Sequence, residues 1–124
     1  MDRIARSSQD LPYLEACIQE SFRCYSPAAT GTDREVPASG AQVAEQYVPG
    51  RTVVIMLHQV TYSVDAHFAR PDEFVPERWL PADGGRPAEF ESDRRSCVHP
   101  FSVGPQACFG QEYVNCPRAA DRER

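Results

Sequence analysis

Prolines recur at short intervals through the second half of the chain, and their spacing limits what this half can fold into. Residues 65–100 are interrupted repeatedly by proline and by a diglycine at 84–85. Because proline lacks an N–H group and blocks helix continuation, this stretch cannot form a long helix or a central strand. A compact domain seldom contains a structureless stretch of this length, so the segment is either disordered or a coil held by specific contacts. Disordered segments are poor in aromatic residues. This one contains several, which favours the coil: Phe68, Phe74, Trp79 and Phe90.

Length and charge exclude several classes of protein. The chain has 124 residues, enough for one domain. Its 13 basic residues, all of them arginine, and 18 acidic residues give a net charge of −5. An acidic chain lacks the basic surface that nucleic acids select. The longest apolar run, at 53–57, is too short to span a membrane, and the N-terminus lacks an apolar signal-peptide region. We therefore expect a soluble, intracellular chain with no nucleic-acid partner.

The cysteines lack the spacing of a metal or redox site. No two of the five form a C-x-x-C pair, and the three histidines do not form an H-x-x-x-H pair. An odd number of cysteines without a secretory signal also disfavours a disulfide framework. We expect most of them to be small residues of the core.

The first predicted element is a helix that begins directly after Asp10, which can cap it. Apolar residues at three- and four-residue spacing give this helix one apolar face, and Pro27 ends it at about residues 24–26. Glu20 and Arg23 lie roughly opposite that face, and their i, i+3 spacing lets the side chains meet. Taken alone, this pair is most simply a solvated surface ion pair. The apolar face consists of Leu11, Leu14, Ile18 and Phe22.

The middle of the chain predicts short strands. Residues 27–40 are rich in Pro, Gly, Ser and Thr and are predicted as a loop. Residues 42–48 and 52–57 are predicted as the two strands of a hairpin. Pro49-Gly50 between them suits a type II turn, in which the glycine supplies the positive φ. A short helix is predicted near residues 58–63.

Two later segments carry side chains suited to specific contacts or chemistry. In residues 71–80, the planar guanidinium of Arg78 can pair with a carboxylate, and Glu20 is one candidate. The alternative for this segment is an exposed loop with incidental charges.

Residues 101–110 place Cys108 between two glycines. Gly104 allows a tight turn, and Gly110 allows the close approach of a flat or bulky group. A helix that starts just after Cys108 would favour its thiolate, which is a good metal ligand. The alternative is a buried structural cysteine in a turn.

The order of these motifs resembles the C-terminal part of a cytochrome P450, a haem-thiolate monooxygenase. The resemblance covers residues 11–111, and it rests on several motifs that occur in the right order. The similar segments are Glu20-x-x-Arg23 for the K helix, 34–36 and 48–52 for the following strand region, Pro76-Glu77-Arg78-Trp79 for the meander, and 101–110 for the haem-binding loop, F-x-x-G-x-x-x-C-x-G.

The resemblance implies a mainly α fold with a small β-sheet. The chain would be a partial domain that contains the K helix, a β hairpin, the meander coil, the haem-binding loop and the start of the L helix. Glu20, Arg23 and Arg78 would form one buried structural triad instead of a surface pair. Residues 1–111 would belong to this domain. Residues 112–124 would be a divergent tail, disordered or irregular.

The resemblance also implies haem b as the cofactor. Cys108 would be the axial ligand of the iron, and its thiolate would push electron density toward the metal and favour O–O cleavage. Phe101 would pack near the haem on the thiolate side, and Arg34 would contact a propionate. Gln106 stands where the family usually has arginine or histidine, so haem anchoring would be weaker. The implied cofactor-binding residues are Cys108, Phe101, Gly104, Gly110, Arg34 and Gln106.

The implied parent reaction inserts one oxygen atom of O₂ into a small organic substrate. The electrons would come from NADPH-cytochrome P450 reductase or a similar donor. Because the resemblance leaves out the family's oxygen-activating I helix and substrate-recognition segments, we expect the chain alone to be inactive. The alternatives are a non-catalytic haem- or reductase-binding remnant and a truncated or mis-predicted gene product. The full-length parent would be anchored in the endoplasmic reticulum membrane by an N-terminal segment.

Overall fold

The structure, a computed structural model, describes residues 11–111. Two helices and four short strands come first, and a coil of short 3₁₀ turns follows. The predicted order of helix, small sheet and long coil is therefore found. The helices and strands are α1 (Pro12–Cys24), β1 (Asp33–Glu35), β2 (Ala41–Val43), β3 (Gln46–Val48), β4 (Val53–Ile55) and α2 (His58–Tyr62). The 3₁₀ turns are Pro76–Trp79, Ala82–Gly84, Ala88–Phe90, Arg95–Cys97 and Gly104–Gln106.

Both predicted helices are present. α1 begins at Pro12, where the missing N–H group would have no helical partner in any case, and it ends at Cys24 as predicted. The cap predicted at Asp10 lies outside the described residues. The short helix predicted near 58–63 is α2.

The buried side of α1 is its polar side. Glu20 and Arg23 are fully buried together with Ala16, whereas Leu14, on the apolar side, is 48% exposed. The interpretation of Glu20 and Arg23 as a solvated surface pair is therefore wrong. The physical reason is that this side of α1 packs against the 3₁₀ turn at Pro76–Trp79, which supplies polar partners for it.

The predicted hairpin is wrong in its pairing. β2 pairs with β3, and β4 pairs antiparallel with β1, which places Arg34 opposite Val54. β1 therefore lies inside the stretch predicted as loop. The cause is a two-residue turn between β2 and β3. Ala44 and Glu45 adopt φ values of 47° and 65°, the left-handed geometry that such hairpin turns require. Neither residue type predicts this turn, which Asn-Gly pairs usually form.

The turn at Pro49-Gly50 forms one residue later than predicted, with Gly50 and Arg51 as its central residues, and glycine has a different role in it. The Thr52 N–H group donates to the Pro49 carbonyl at 3.4 Å. The positive φ, 63°, belongs to Arg51 and not to Gly50, so the predicted type II geometry is wrong. A Cβ atom at Gly50 would lie 2.2 Å from the carbonyl oxygen of Ala38. Glycine is needed there because two backbone segments touch.

The coil at 65–100 is held by specific contacts, as its aromatic residues suggest. Phe68 and Phe90 are each 1% exposed, and Tyr62 is fully buried. Phe74 is 47% exposed, so only some of the aromatic residues enter the core.

Within residues 11–111, no helix is both long and apolar enough to cross a membrane.

Candidate functional site

The Glu20 carboxylate lies at the centre of a buried polar cluster. Oε1 accepts hydrogen bonds from Arg23 Nη2 (2.8 Å), the Val75 amide (2.9 Å) and Arg78 Nε (3.1 Å). Oε2 accepts from Arg23 Nε (2.9 Å) and Trp79 Nε1 (2.8 Å). Glu20 is 0% exposed. This single carboxylate therefore ties α1 to the 3₁₀ turn at 76–79.

Arg23 also donates hydrogen bonds to three backbone carbonyls. Nη1 donates to Tyr62 (2.9 Å) and Pro71 (2.7 Å), and Nη2 also donates to Glu73 (2.8 Å). The guanidinium lies 5.3 Å from the centre of the Phe68 ring. Arg23 thus fixes the end of α2 and the start of the 71–80 segment around one planar group.

Arg78 has a second carboxylate partner in Asp93. Arg78 Nη1 donates to Asp93 Oδ2 and to the Ala69 carbonyl (2.9 Å), and Asp93 Oδ1 accepts from the Ala69 amide (2.8 Å). Arg78 lies 4.7 Å from the centre of the Phe90 ring. We refer to Glu20, Arg23, Arg78 and Asp93 as the buried network.

The buried network balances its charges, two guanidinium groups against two carboxylates. Burial alone would raise the pKa of Glu20, but hydrogen bonds from Arg23, the Val75 amide and Trp79 outweigh it and hold that pKa below its usual value. Burial likewise opposes the charge of Arg23, yet the hydrogen bond to Glu20 outweighs it and raises the pKa of Arg23. Glu20 and Arg23 therefore each favour their charged form in this cluster.

Sequence reasoning missed two members of this cluster. Asp93 and the indole N–H group of Trp79 were not assigned a role. A signal for Asp93 exists: two buried arginines beside one glutamate would leave an unpaired buried charge, so a second carboxylate is required. The sequence offers several acidic residues between 72 and 93, and nothing in their spacing selects Asp93.

The buried network is connected to the later part of the coil. Arg95 Nη1 donates to the carbonyls of Arg78 (3.1 Å) and Phe90 (2.8 Å). Further along the chain, the His99 amide donates to the hydroxyl of Tyr62 (3.0 Å). These contacts lead directly to residues 101–110, which we call the cysteine loop.

Backbone hydrogen bonds close the cysteine loop, and the Cys108 thiol remains exposed. The Cys108 amide donates to the Phe101 carbonyl at 2.7 Å, and the Ala107 amide donates to the Gly104 carbonyl at 3.0 Å. Gly104 has a φ of 72°, a conformation that favours glycine. The Cys108 side chain is exposed, so the alternative of a buried structural cysteine is wrong.

The surroundings of Cys108 are apolar and open. Phe101 packs edge-on against Phe22 of α1, with ring centres 5.2 Å apart, while Phe109 is 93% exposed. A Cβ atom at Gly110 would lie 3.4 Å from Cys108 Sγ, so position 110 is in van der Waals range of the thiol. The exposed thiol, the glycine beside it and the apolar surface fit a flat apolar group that binds through the sulfur.

A cavity of about 650 Å³ lies between the strands and the start of the cysteine loop. Arg34 reaches across it, and its Nη2 donates to Ser102 Oγ at 3.3 Å. Within the described residues, Arg34 forms no ion pair with a carboxylate. We refer to this space as the sheet cavity.

The structure places the predicted residues in two groups. Glu20, Arg23 and Arg78 meet in the buried network. Arg34 meets the cysteine loop at Ser102, and Gln106 lies in its 3₁₀ turn. Among residues 11–111, no three His, Cys, Asp or Glu side chains are grouped to hold a metal ion. A thiolate-bound metal would therefore depend on Cys108 together with ligands from the bound group itself.

Comparison with known proteins identifies the family. A family model described as Cytochrome P450 matches residues 4–113. The chain belongs to the cytochrome P450 family, whose members are haem-thiolate monooxygenases with haem b as the cofactor. The resemblance inferred from the motif order is thereby confirmed.

The chain is similar to fungal members of this family. It is 44% identical over 101 residues to cytochrome P450 monooxygenase FUM2 of Gibberella moniliformis, covering 82% of this chain and 20% of that protein. It is 46% identical over 104 residues to cytochrome P450 monooxygenase sthF of Phaeosphaeria nodorum, covering 84% and 20%. It is 42% identical over 107 residues to the trichothecene C-4 hydroxylase of Trichoderma arundinaceum, covering 85% and 21%. The chain thus spans about a fifth of the length of these relatives.

A solved structure confirms the fold. The retinoic acid bound cyanobacterial CYP120A1 matches with a TM-score of 0.68 and 26% identity, covering 86% of this chain and 23% of that one. The expected partial cytochrome P450 fold is therefore confirmed.

Proposed function

We propose that this chain forms the thiolate side of the haem site of a cytochrome P450 monooxygenase, with Cys108 as the ligand of the iron. The observation that carries the proposal is the exposed Cys108 thiol in a closed loop. The Cys108 amide is bound to the Phe101 carbonyl, so the sulfur is presented by an ordered turn and not by a free end. Such a thiol can accept a metal without unfolding any part of the loop.

The remaining cofactor-binding residues surround that thiol in the proposal. Phe101, the first residue of the loop, packs against Phe22 of α1 and offers an apolar face to the cofactor. Gly104 and Gly110 keep the loop tight and the sulfur accessible. Arg34, with no carboxylate partner among the described residues, is available to pair with a haem propionate. Gln106 is assigned to the other propionate as a neutral hydrogen-bond donor.

When bound, haem supplies the activation of dioxygen, and the thiolate ligand adds electron density to the iron. The protein residues hold and orient the cofactor. The buried network holds α1 and the meander coil together. Hydrogen bonds of Arg95 and Tyr62 connect this region to the residues that precede the cysteine loop. Backbone N–H groups near the sulfur would tune the electron density of the thiolate.

For the whole protein we propose insertion of one oxygen atom of O₂ into a small organic substrate. A reductase such as NADPH-cytochrome P450 reductase would supply the electrons, and an N-terminal segment would anchor the parent in the endoplasmic reticulum membrane. The 124-residue chain on its own would leave one face of the haem open to water, so it would bind haem without oxidising a substrate. In this proposal residues 1–111 belong to the cytochrome P450 domain, and residues 112–124, which lie outside the described residues, are its divergent tail.

The test is the carbon monoxide spectrum of the reduced haem complex. We expect a thiolate-type Soret band for the native chain and for Cys97→Ala, and loss of that band in Cys108→Ala. Cys97 is the matched control because it lies in the same coil, half-buried, where burial raises the pKa of its thiol and disfavours the thiolate. A thiolate-type band that persists in Cys108→Ala would contradict the proposal.

A further inference from the structure

The walls of the sheet cavity are mostly apolar and include a smaller set of polar side chains. Val36, Val54 and Met56 are among the apolar residues. The polar or charged lining residues are Thr32, Arg34, Glu35, His58, His99 and Ser102. Arg34 already links the strand side of the cavity to the cysteine loop through Ser102. A ligand with a large apolar body and an acidic end would match this distribution.

His58 is the unusual member of this set because it is buried. It is 7% exposed, and its ring stacks on Tyr62 with centres 5.4 Å apart and planes inclined by 15°. Tyr62 is itself fixed, since its hydroxyl accepts the His99 amide at 3.0 Å. The imidazole therefore has one defined orientation against the cavity.

The nitrogen atoms of His58 are not satisfied by the described part of the protein. Nδ1 is enclosed and has no hydrogen-bond partner among residues 11–111, and Nε2 makes no hydrogen bond to these residues either. Buried polar side-chain atoms nearly always have a partner. A proton on Nε2 makes His58 a donor toward the cavity and leaves only a lone pair on Nδ1, so that no buried N–H group is left unpaired.

His67, in contrast to His58, has a hydrogen-bond partner for its Nδ1 atom. Its Nδ1 lies 2.9 Å from the Thr61 carbonyl, and it does not line the sheet cavity. The two residues are of the same type and lie close in sequence, yet only His58 faces a cavity without a partner. This contrast leaves Nε2 of His58 free to donate to a group bound in the cavity.

We propose that His58 is a second hydrogen-bond donor, beside Arg34, for the carboxylates of haem bound against the sheet cavity. This inference rests on the proposed function. Arg34 supplies the charge, and the buried imidazole supplies a donor that water cannot easily replace. Glu35 is the one carboxylate on the cavity wall, and its side chain is exposed.

The test compares two ligands and three variants in the full chain. The ligands are iron protoporphyrin IX and its dimethyl ester, which lacks free carboxylates. Binding is followed by the Soret absorbance. His58→Phe keeps an aromatic ring to stack on Tyr62 but removes both nitrogens, and His67→Phe is the matched control. We expect His58→Phe to bind the free acid about tenfold more weakly, the equivalent of roughly 1.4 kcal/mol, and to bind the ester within about twofold of the native chain.

His58→Gln separates donation from packing. Glutamine can still donate a hydrogen bond, so we expect its affinity for the free acid to stay within about threefold of native. Equal weakening of acid and ester binding in both His58 variants would overturn the inference, because His58 would then act through packing alone. Unchanged affinity in both variants would also overturn it.

The same experiments separate failure of the role proposed for His58 from failure of the proposed function. A native chain that binds no haem, or that shows no thiolate spectrum, overturns the proposed function and this inference together. A native chain that binds haem through Cys108, with His58→Phe binding the free acid equally well, overturns the role of His58 alone.

Discussion

The buried network and the cysteine loop differ in how completely their own contacts satisfy them. In the network, Glu20 and Arg78 are fully buried, and every donor lies within reach of a carboxylate or a carbonyl. In the loop, Cys108 is exposed and Phe109 is 93% exposed. The network thus holds the fold, whereas in the proposed function the loop presents the groups that bind haem. Substitutions should therefore affect stability in the first region and binding in the second.

The largest effect is expected from removing Glu20. In Glu20→Gln, two buried guanidinium groups lose their central partner, which should lower the free energy of unfolding by about 3–5 kcal/mol. Urea unfolding followed by circular dichroism measures this. Glu73→Gln is the matched control, because the Glu73 carboxylate pairs with Arg70 on the surface and should matter little. Comparable losses in the two variants would remove the distinction between buried and exposed pairs.

Asp93→Asn should have the next largest effect. Asparagine can still accept from the Ala69 amide but carries no charge for Arg78, so we expect a loss of about 2–3 kcal/mol. The same unfolding measurement applies, and Asp83→Asn, at an exposed position, is its control. A stability equal to that of the native chain would mean that Arg78 does not need a second carboxylate.

Acid should weaken the buried network through Glu20. Because the pKa of Glu20 is lowered in the folded state, its ionisation stabilises the fold above the unfolded pKa of about 4.3. That stabilisation is lost as the pH falls through the lowered pKa, at up to about 1.4 kcal/mol per pH unit. Unfolding curves between pH 3 and pH 6 should show this slope in the native chain and a shallower one in Glu20→Gln. Parallel slopes in the two chains would assign the acid sensitivity to other groups.

Trp79→Phe should produce a smaller loss. It removes the indole N–H group that donates to Glu20 at 2.8 Å but keeps an aromatic ring. Because Glu20 retains its bonds to Arg23, Arg78 and the Val75 amide, we expect about 1 kcal/mol. Thermal unfolding measures it. A loss as large as that of Glu20→Gln would show that the indole is essential to the network.

The smallest effect on stability is expected in the cysteine loop. Phe109→Ala removes a side chain that is 93% exposed, so unfolding should change by less than about 0.5 kcal/mol. Haem affinity, measured by Soret titration, should nevertheless fall, because in the proposed function this loop binds the cofactor. Unchanged affinity would remove Phe109 from the binding surface, and a large loss of stability would contradict the contrast between the two regions.

Local patterns in the sequence predicted α1, α2 and the coil, because helix periodicity and proline placement act over a few residues. They failed at the sheet, where the turn at Ala44-Glu45 has no typical residue signal and β4 finds its partner β1 about twenty residues away. They also failed to select Asp93, since buried charge balance depends on which acidic residue the coil carries to Arg78.

The order of the motifs along the chain is enough to establish the family, and the prolines are enough to locate where helix gives way to coil. The fold is needed to see that the polar side of α1 is buried, that Asp93 completes the network, and that His58 lines the sheet cavity with no partner among residues 11–111. The physical reason is that burial and pairing depend on segments far apart in the chain. Glu20 and Trp79 meet across 59 residues, and no local pattern encodes that distance.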